Sequence, residues 1–286
     1  MENLNVIVYT NETYFNITYI TIPQLKKNLP NVKINLVSNK FPNEFEKFDY
    51  VNYIETNVPF VGDGSHFRDS MLNALVEIDC EYFFFICDDY IFRGHTKMDK
   101  FNQLIPIMKE SNIHFLTLAT QKHMGSVIDK WKLIDCDVTK YGFPKNCFHE
   151  MPDNYLYLFS VQPCIWKKTS LIEILNYNPN LSLHALDTTN IKNKKGEMRE
   201  RNPLTVFYFP KENFYDYDSK NVCMYLDPIS FAADERFSGE DYLIIDYCEV
   251  IRHGKLIEPQ TISKNFFLEL LDNEYKNIKP KLDIFF

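Results

Sequence analysis

The sequence predicts an α/β protein with a mainly parallel β-sheet flanked by helices, and three observations support this prediction. Strand-like and helix-like segments alternate over the first 120 residues, which is the order that generates a parallel sheet. Every residue from Tyr82 to Cys87 is apolar or aromatic, as in a strand that is buried on both faces. The 286 residues include only 8 glycines, which argues against long low-complexity segments.

The chain begins with a predicted βαβ unit. We expect a first strand over residues 5–10, a helix over 21–28 and a second strand over 32–37. Pro23 would lie in the first turn of that helix, where its missing N–H group has no partner to lose. A strand, a helix and a strand this close together predict a right-handed crossover. Residues 51–55 predict a further short strand.

A second helix is expected after the turn that contains Asp63, with Ser65 as its N-cap. Apolar residues then recur at helical spacing, at Phe67, Met71, Leu72, Leu75 and Ile78. Arg68 lies in the first turn, where the helix dipole favours anions over cations. It therefore indicates an anionic partner such as a phosphate shared with the helix N-terminus. The alternative is a surface salt bridge to Asp69 or Asp63.

Two carboxylates, Asp88 and Asp89, directly follow the apolar run Tyr82–Cys87. In open α/β sheets, ligands bind outside the carboxyl ends of the strands. Adjacent carboxylates in such a place repel one another and lose solvation unless a cation offsets them. Mg²⁺ often combines one or two carboxylates with substrate phosphates. The alternative is that the pair only caps the following turn.

The next helix is predicted from a capping box at Thr96 and Asp99, with a kink at Pro106. A strand is expected at 114–120. Beyond residue 120 the pattern becomes irregular. There, Ser170 and Glu173 predict a capping box for a helix that ends at Leu175. The other predicted segments are strands at 155–161, 204–209 and 222–226 and a helix at 263–275.

Composition and charge argue against several classes of protein. The net charge of −8 disfavours a nucleic-acid partner. No stretch approaches the roughly eighteen apolar residues of a membrane span, and the N-terminus lacks the features of a signal peptide. The 7 cysteines include no Cys-x-x-Cys pair, which argues against a thiolate zinc site and favours a reducing compartment. We therefore expect a cytoplasmic protein.

The order of these segments resembles that of the metal-dependent glycosyltransferases of the GT-A fold, especially microbial and viral enzymes of surface-glycan synthesis. The matching pieces are the βαβ start, the helix with Arg68, the strand ending in Asp88 and Asp89, the segment 162–166 and the segment 250–255. The resemblance implies a single domain over residues 1–286. Residues 1–120 would form a Rossmann-like nucleotide-sugar half, and residues 121–286 a mixed acceptor half.

The resemblance also implies roles for individual residues on the donor side. Asp88 and Asp89 match a degenerate Asp-x-Asp motif, which would hold Mn²⁺ or Mg²⁺ against the diphosphate of a UDP- or GDP-linked sugar. His253 would complete the metal coordination, unless it is an ordinary turn residue. The residues expected to contact the nucleotide are Thr10, Asn11, Glu12, Asp63, Arg68 and Asp88.

On the acceptor side, the resemblance assigns Gln162 and Trp166 to the walls of the acceptor site. The alternative for Trp166 is a place in the core, which large aromatic residues dominate. Asp187 would be the general base of an inverting enzyme, although its Leu-His-Ala-Leu-Asp surroundings depart from the usual Trp and Glu pattern. Glu150 and Asp153 are the other candidates for the base.

Together these inferences predict a glycosyltransferase that moves a sugar from a nucleotide-sugar donor to a glycan or another hydroxyl acceptor. A metal would stabilise the departing diphosphate as a Lewis acid. One alternative is a nucleotidyltransferase of sugar activation, although residues 9–13 lack the glycine and the basic residue of its phosphate loop. The other alternative is a catalytically inactive sugar-binding or scaffold protein on the same fold.

Overall fold

A computed structural model provides the fold of the chain. It describes residues 4–60, 66–92, 96–118, 132–145, 147–150 and 163–177, together with short strands further along. In the described part, no helix has the length and the apolar character that crossing a membrane requires.

The described elements are fourteen strands, four α-helices and two short 3₁₀ turns. The strands are β1 Asn5–Tyr9, β2 Lys33–Ser38, β3 Val51–Glu55, β4 Tyr82–Cys87, β5 Tyr90–Phe92, β6 Ile113–Thr117, β7 Phe148–Glu150, β8 Cys164–Lys167, β9 Ile191–Lys192, β10 Met198–Arg199, β11 Val222–Leu226, β12 Tyr247–Glu249, β13 Ile251–Arg252 and β14 Lys255–Leu256. The helices are α1 Thr18–Asn28, α2 His66–Glu77, α3 Met98–Glu110 and α4 Lys168–Tyr177, and the 3₁₀ turns are Phe15–Ile17 and Val138–Tyr141.

Eight of the described strands form one sheet in the order β3-β2-β1-β4-β8-β6-β11-β7. The four strands β1 to β4 are parallel to one another, and β6 and β11 are parallel to each other. Strand β8 runs antiparallel between β4 and β6, and β7 runs antiparallel to β11. The predicted α/β class with a mainly parallel sheet is therefore confirmed. The antiparallel strands of this sheet lie in the second half of the chain.

The two faces of the sheet carry separate cores, and β4 contributes to both. Phe84 and Ile86 pack in the cluster that includes the apolar faces of α1 and α3. Phe83 and Phe85 pack in the cluster that includes the apolar faces of α2 and α4. The prediction that this strand is buried on both faces is confirmed. Each fully buried Phe contributes about 1.5–3 kcal/mol to stability, so β4 is the best-anchored strand of the site.

The structure corrects the predicted start of the first helix. Helix α1 begins at Thr18, so Pro23 lies inside it and not in its first turn. The 3₁₀ turn Phe15–Ile17 leads directly into the helix. The extra turn forms because Tyr19 and Ile20 are only 4% and 3% exposed. The apolar area they bury offsets the loss of one backbone hydrogen bond at the proline.

Both predicted capping boxes are wrong. The N-cap of α3 is Lys97, and it makes no side-chain capping hydrogen bond, so Thr96 does not cap this helix. Ser170 lies inside α4, where its Oγ atom is 3.0 Å from Nδ1 of His114. Strand β8 continues into α4 without a capping turn, because the backbone N–H of Lys168 donates to the carbonyl of Glu81 at 2.8 Å.

The remaining element predictions are confirmed or lie outside the described residues. Strands β2, β3, β6 and β11 match the predicted segments within a few residues, and α3 runs through Pro106 without interruption. Ser65, the predicted strands at 155–161 and 204–209 and the predicted helix at 263–275 lie outside the described residues. Strand β8 was not predicted.

Candidate functional site at the carboxyl ends of β1 and β4

The order of the strands places a topological switch point between β1 and β4. From β1 the chain crosses through α1 to β2 on one side, and from β3 it crosses through α2 to β4 on the other side of β1. The two crossovers run in opposite directions, so right-handed connections put α1 and α2 on opposite faces. A crevice forms at such a point outside the carboxyl ends of the strands, and ligands bind there in open α/β sheets.

Asp88 lies at this switch point, and hydrogen bonds join it to β1, to Thr10 and to α1. Its backbone N–H donates to the carbonyl of Tyr9 at 3.1 Å, which extends the β1–β4 ladder by one residue. Its backbone carbonyl accepts a 2.6 Å hydrogen bond from Oγ1 of Thr21 on α1. Its carboxylate atom Oδ2 accepts a hydrogen bond from Oγ1 of Thr10. The position of Asp88 is therefore determined by β1, β4 and α1 together.

The carboxyl group of Asp88 is in an unusual electrostatic environment. The residue is only 7% exposed. Burial raises its pKa to about 7, although hydrogen bonds from Thr10 and from the backbone of Asp88 and Asp89 favour the ionised form. Asp89 follows in the turn before β5, and its Oδ1 atom is also buried. Two acidic side chains in one turn, of which Asp88 is buried and Asp89 is half-buried, are the arrangement that a bound cation stabilises.

The chemistry of these residues fits a hard divalent cation. Carboxylate oxygens are the ligands that Mg²⁺ and Mn²⁺ prefer. Within the described residues, no group of three or more His, Cys, Asp and Glu side chains could hold a metal. Asp88 and Asp89 would therefore supply two protein ligands, and phosphate and water oxygens would supply the rest, as is usual for Mg²⁺. Asp63 and His253 lie outside the described residues.

The loop after β1 is fixed by its own residues and by the end of β2. Oδ1 of Asn11 accepts a hydrogen bond from the backbone N–H of Thr13 at 2.8 Å. The backbone N–H of Glu12 donates to Oδ1 of Asn39 at 2.9 Å. The side chain of Glu12 is exposed beside this edge. The nucleotide contacts of Asn11 and Glu12 stay predictions.

Thr10 has a different place from the one that the resemblance implies. It is only 1% exposed, and its hydroxyl group donates to Asp88. A side chain with so little accessible surface cannot contact a nucleotide directly. The predicted nucleotide contact of Thr10 is therefore wrong, because the residue lies behind Asp88 and supports it.

Arg68 lies in the first turn of α2, as the sequence predicts. Its Nε atom donates to the carbonyl of Leu175 on α4 at 2.6 Å, and its Nη1 atom forms a salt bridge with Asp69. The salt bridge to Asp69 was the alternative derived from the sequence. These contacts join α2 to α4, and a nucleotide contact of Arg68 stays a prediction.

Trp166 lies in the core and not at an acceptor site. It is 2% exposed, and its ring centroid is 4.4 Å from that of Phe115. In β8 it pairs with Phe83, near the beginning of β4 and thus away from Asp88. The acceptor contact that the resemblance assigns to Trp166 is therefore wrong, and the core alternative is confirmed. Gln162 lies outside the described residues.

The structure also removes one candidate for the general base. Glu150 lies on β7 and forms a 3.3 Å salt bridge with Lys132. Four strand spacings separate β7 from β4 in the sheet, which corresponds to roughly 19 Å. Glu150 is thus too far from Asp88 to act on the same sugar. Asp153 and Asp187 lie outside the described residues.

Sequence reasoning missed Thr21 and Asn39. Asn39 follows β2 directly, as Thr10 follows β1 and Thr56 follows β3. Because the carboxyl ends of parallel strands meet at one edge, this recurrence of polar residues was a usable signal for Asn39. Thr21 lies within a helix and contacts Asp88 across 67 positions of sequence, so no local pattern identifies it.

No family model matches the chain, and no curated protein matches its sequence. Three solved structures with low similarity are a galactosyltransferase LgtC in complex with donor and acceptor sugar analogs, the glycosyltransferase GlyE of Streptococcus pneumoniae TIGR4 and TarS of S. aureus. Their identities to this chain are 10%, 8% and 14%, and their TM-scores are 0.35, 0.46 and 0.37. The matches cover 59%, 98% and 60% of this chain, but only 60%, 62% and 29% of those chains.

Proposed function

We propose that the protein is a metal-dependent glycosyltransferase that moves a sugar from a UDP- or GDP-linked donor to a hydroxyl group of a glycan or a small acceptor. The observation that best supports this proposal is the buried Asp88 at the switch point between β1 and β4. A rigidly held carboxylate with a second carboxylate beside it suits the binding of a cation–diphosphate pair at the edge where α/β sheets bind nucleotides.

In this proposal Asp88 and Asp89 hold Mn²⁺ or Mg²⁺. When bound, the ion acts as a Lewis acid on the diphosphate leaving group. The protein's own contribution is to fix the carboxylates and to present the loop after β1 to the nucleotide. Asn39 holds that loop through the backbone N–H of Glu12. This arrangement is in place before the donor binds, which lowers the entropic cost of binding.

We propose His253 as a third metal ligand. Strand β12 pairs with β5, and Glu249 lies opposite Tyr90, the residue after Asp89. His253 is four residues beyond Glu249 and falls between the paired strands β13 and β14. Four residues span at most about 14 Å, and this limit on the separation of His253 from Glu249 supports the proposal.

The acceptor hydroxyl needs a general base if the reaction inverts the configuration of the sugar. Asp187 is the residue that we propose for this role, with Asp153 as the other candidate. Substitution of Asp187 by Asn would leave donor binding intact and would lower kcat by at least about a hundredfold, which is the usual contribution of a general base. A kcat within a factor of three of the parent would remove Asp187 from the mechanism.

A thermal-shift screen of UDP- and GDP-sugars with and without Mn²⁺ tests the donor class. A ligand at 100 times its Kd stabilises the native state by about 2.7 kcal/mol, so we expect a clear rise in Tm that requires Mn²⁺. Asp88→Asn should abolish this rise. Asp79→Asn is the matched control, since Asp79 is an exposed carboxylate before β4 with the same charge change.

Product analysis separates the proposed activity from the alternatives. A glycosyltransferase releases a nucleoside diphosphate from the donor, whereas a nucleotidyltransferase joins a nucleoside triphosphate to a sugar phosphate and releases pyrophosphate. A binding protein would bind a glycan without metal and form neither product. If no nucleotide sugar stabilises the protein with Mn²⁺, and no nucleoside diphosphate is released, the proposed function is wrong.

A further inference from the structure

We propose that Thr10 and Thr21 are positioning residues that hold Asp88 for the cation. Thr10 would orient the carboxylate, and Thr21 would fix the backbone to which the carboxylate belongs. This inference rests on the proposed function, because it concerns the same cation. The two hydroxyl groups would act through Asp88 and not by contact with a substrate, because Thr10 and Thr21 are only 1% and 0% exposed.

The backbone N–H and the hydroxyl group of Thr10 are both fixed by hydrogen bonds. Its backbone N–H donates to the carbonyl of Val37 at 2.9 Å, so the β1–β2 ladder continues through this residue. Its Oγ1 atom then donates to Oδ2 of Asp88. A buried hydroxyl group has no water to replace this acceptor, so the bond restricts rotation of the carboxylate. Oδ2 of Asp88 is thus held by Thr10, and this bond sets the orientation of the carboxylate toward a cation.

Thr21 controls the same residue from another element. Its Oγ1 atom is 2.6 Å from the carbonyl oxygen of Asp88 and 3.4 Å from that of Ile17, the residue just before α1. The shorter bond therefore joins α1 to the point where β4 ends and the acidic turn begins. Without it, the Asp88 carbonyl would lose this donor, and the turn would lose this hydrogen bond to α1.

Residues that support metal ligands have measurable effects on affinity. Loss of a hydrogen-bond partner behind a ligand typically weakens metal binding by about 10- to 100-fold. Valine matches the shape of threonine but lacks the hydroxyl group, and serine keeps the hydroxyl group but lacks the methyl group. The pairs Thr10→Val with Thr10→Ser and Thr21→Val with Thr21→Ser therefore separate hydrogen bonding from packing.

Thr18→Val is the matched control. Thr18 is on the same helix as Thr21, is 0% exposed, and donates from Oγ1 to the carbonyl of Phe15 at 2.5 Å. Its substitution removes a part-buried hydroxyl hydrogen bond that does not involve Asp88. The test measures Mn²⁺ affinity by electron paramagnetic resonance in the presence of UDP or GDP, together with the Tm of each variant.

We expect Thr10→Val and Thr21→Val to weaken Mn²⁺ binding by about tenfold or more. The two serine variants should stay within about threefold of the parent protein, and so should Thr18→Val even where its Tm falls. If Thr10→Val does not fold, Thr10→Ala provides the same loss of hydroxyl without a new methyl group.

Each other outcome has a definite meaning. Equal Mn²⁺ affinity in the parent, Thr10→Val and Thr21→Val would overturn this inference and leave the proposed function standing. An equally large loss in Thr18→Val would show that lowered stability alone weakens binding, which would also overturn it. If the parent protein binds no Mn²⁺ with either nucleotide, the proposed function fails and the inference fails with it.

Discussion

The hydroxyl group of Thr10 and the carboxylate of Asp88 are hydrogen-bonded between the ends of β1 and β4. These residues are 78 positions apart in sequence, and they meet where the order of the strands reverses. The bond places a buried acidic group at the one edge of the sheet where α/β proteins bind ligands. Such a group, when ionised, lowers the free energy of unfolding unless a bound cation compensates for its charge.

Asp88→Asn should stabilise the protein at pH 8 in the absence of metal. The amide removes the cost of burying a charge and can still accept the bond from Thr10. We expect the free energy of unfolding to rise by about 1–3 kcal/mol. This is less than the roughly 4 kcal/mol that a pKa shift from about 3.9 to about 7 represents at 1.36 kcal/mol per unit, because the amide must also be buried. Urea unfolding at pH 8 measures the difference.

Asp88→Asn should also change how the free energy of unfolding depends on pH. Burial raises the pKa of Asp88 to about 7, whereas in the unfolded chain an Asp titrates near 3.9. The folded state thus binds this proton more tightly, and the parent protein loses stability as the pH rises from about 4 to about 7. Asp88→Asn should lack this loss, and Asp79→Asn should keep it. A constant difference between parent and Asp88→Asn from pH 5 to pH 8 would contradict the assignment.

Ionised Glu110 should stabilise the folded protein, whereas ionised Asp88 should destabilise it. Its carboxylate accepts hydrogen bonds from Lys140 and Tyr141, both at 2.6 Å, and from the thiol of Cys136 at 3.3 Å. These hydrogen bonds lower the pKa of Glu110 to about 2, and the bond from Lys140 has the largest effect. Glu110→Gln should therefore destabilise the protein at neutral pH, while Glu77→Gln on the exposed end of α2 should not.

The effect of Glu110→Gln should disappear in acid. A carboxyl group with a lowered pKa stabilises the folded state above its unfolded pKa, near 4.3, and loses this effect as the pH falls through its folded pKa. The stabilities of Glu110→Gln and the parent should therefore converge between about pH 4.5 and pH 2. Chemical unfolding at several pH values checks this. A gap that persists unchanged at pH 2 would exclude the ionised carboxylate as its cause.

Substitution of Trp166 should affect stability and leave ligand binding unchanged. Its ring packs against Phe115 in the core, and loss of a buried Trp or Phe side chain costs about 3–5 kcal/mol. Trp166→Ala should show a loss of this size in urea unfolding, and Trp166→Phe a smaller one. For Trp166→Phe, the KM of an acceptor and the Mn²⁺-dependent rise in Tm should match those of the parent. A large change in KM alone would restore the acceptor role.

Asn39 should restrain the loop after β1. Its Oδ1 atom accepts the N–H of Glu12, and a single hydrogen bond contributes about 0.5–1.5 kcal/mol. Asn39→Ala should therefore speed hydrogen exchange of the Glu12 amide by about two- to tenfold. Asn52→Ala is the control, since Asn52 on β3 bonds to Asn35 and not to this loop. Unchanged exchange in Asn39→Ala would show that the loop is held by other contacts.

The sequence predicts those parts of the fold that depend on local pattern. The run Tyr82–Cys87 identifies β4 because a strand buried on both faces has no polar alternation. The position of Asp88 follows, since parallel strands present their carboxyl ends at one edge. Alternating strands and helices likewise predict the parallel order of β1 to β4. These inferences need no knowledge of which residues meet across the fold.

What the sequence cannot supply is long-range geometry. Thr21 is an ordinary helix residue until α1 packs beside the turn at Asp88. Strand β8 has only four residues, too few for a periodic signal. The resemblance assigns Trp166 to the acceptor site, but in β8 its side chain packs in the core on the face of the sheet that α2 and α4 cover. The capping box at Ser170 was wrong because β8 leads straight into α4.

The most direct measurement is a crystal structure of the protein with Mn²⁺ and UDP or GDP, with anomalous diffraction used to locate the manganese. We expect one anomalous peak within coordination distance of carboxylate oxygens of Asp88 and Asp89, with diphosphate oxygens on its other side and the Thr10–Asp88 hydrogen bond retained. Manganese and nucleotide bound elsewhere, with both carboxylates turned away from an empty crevice between β1 and β4, would contradict it.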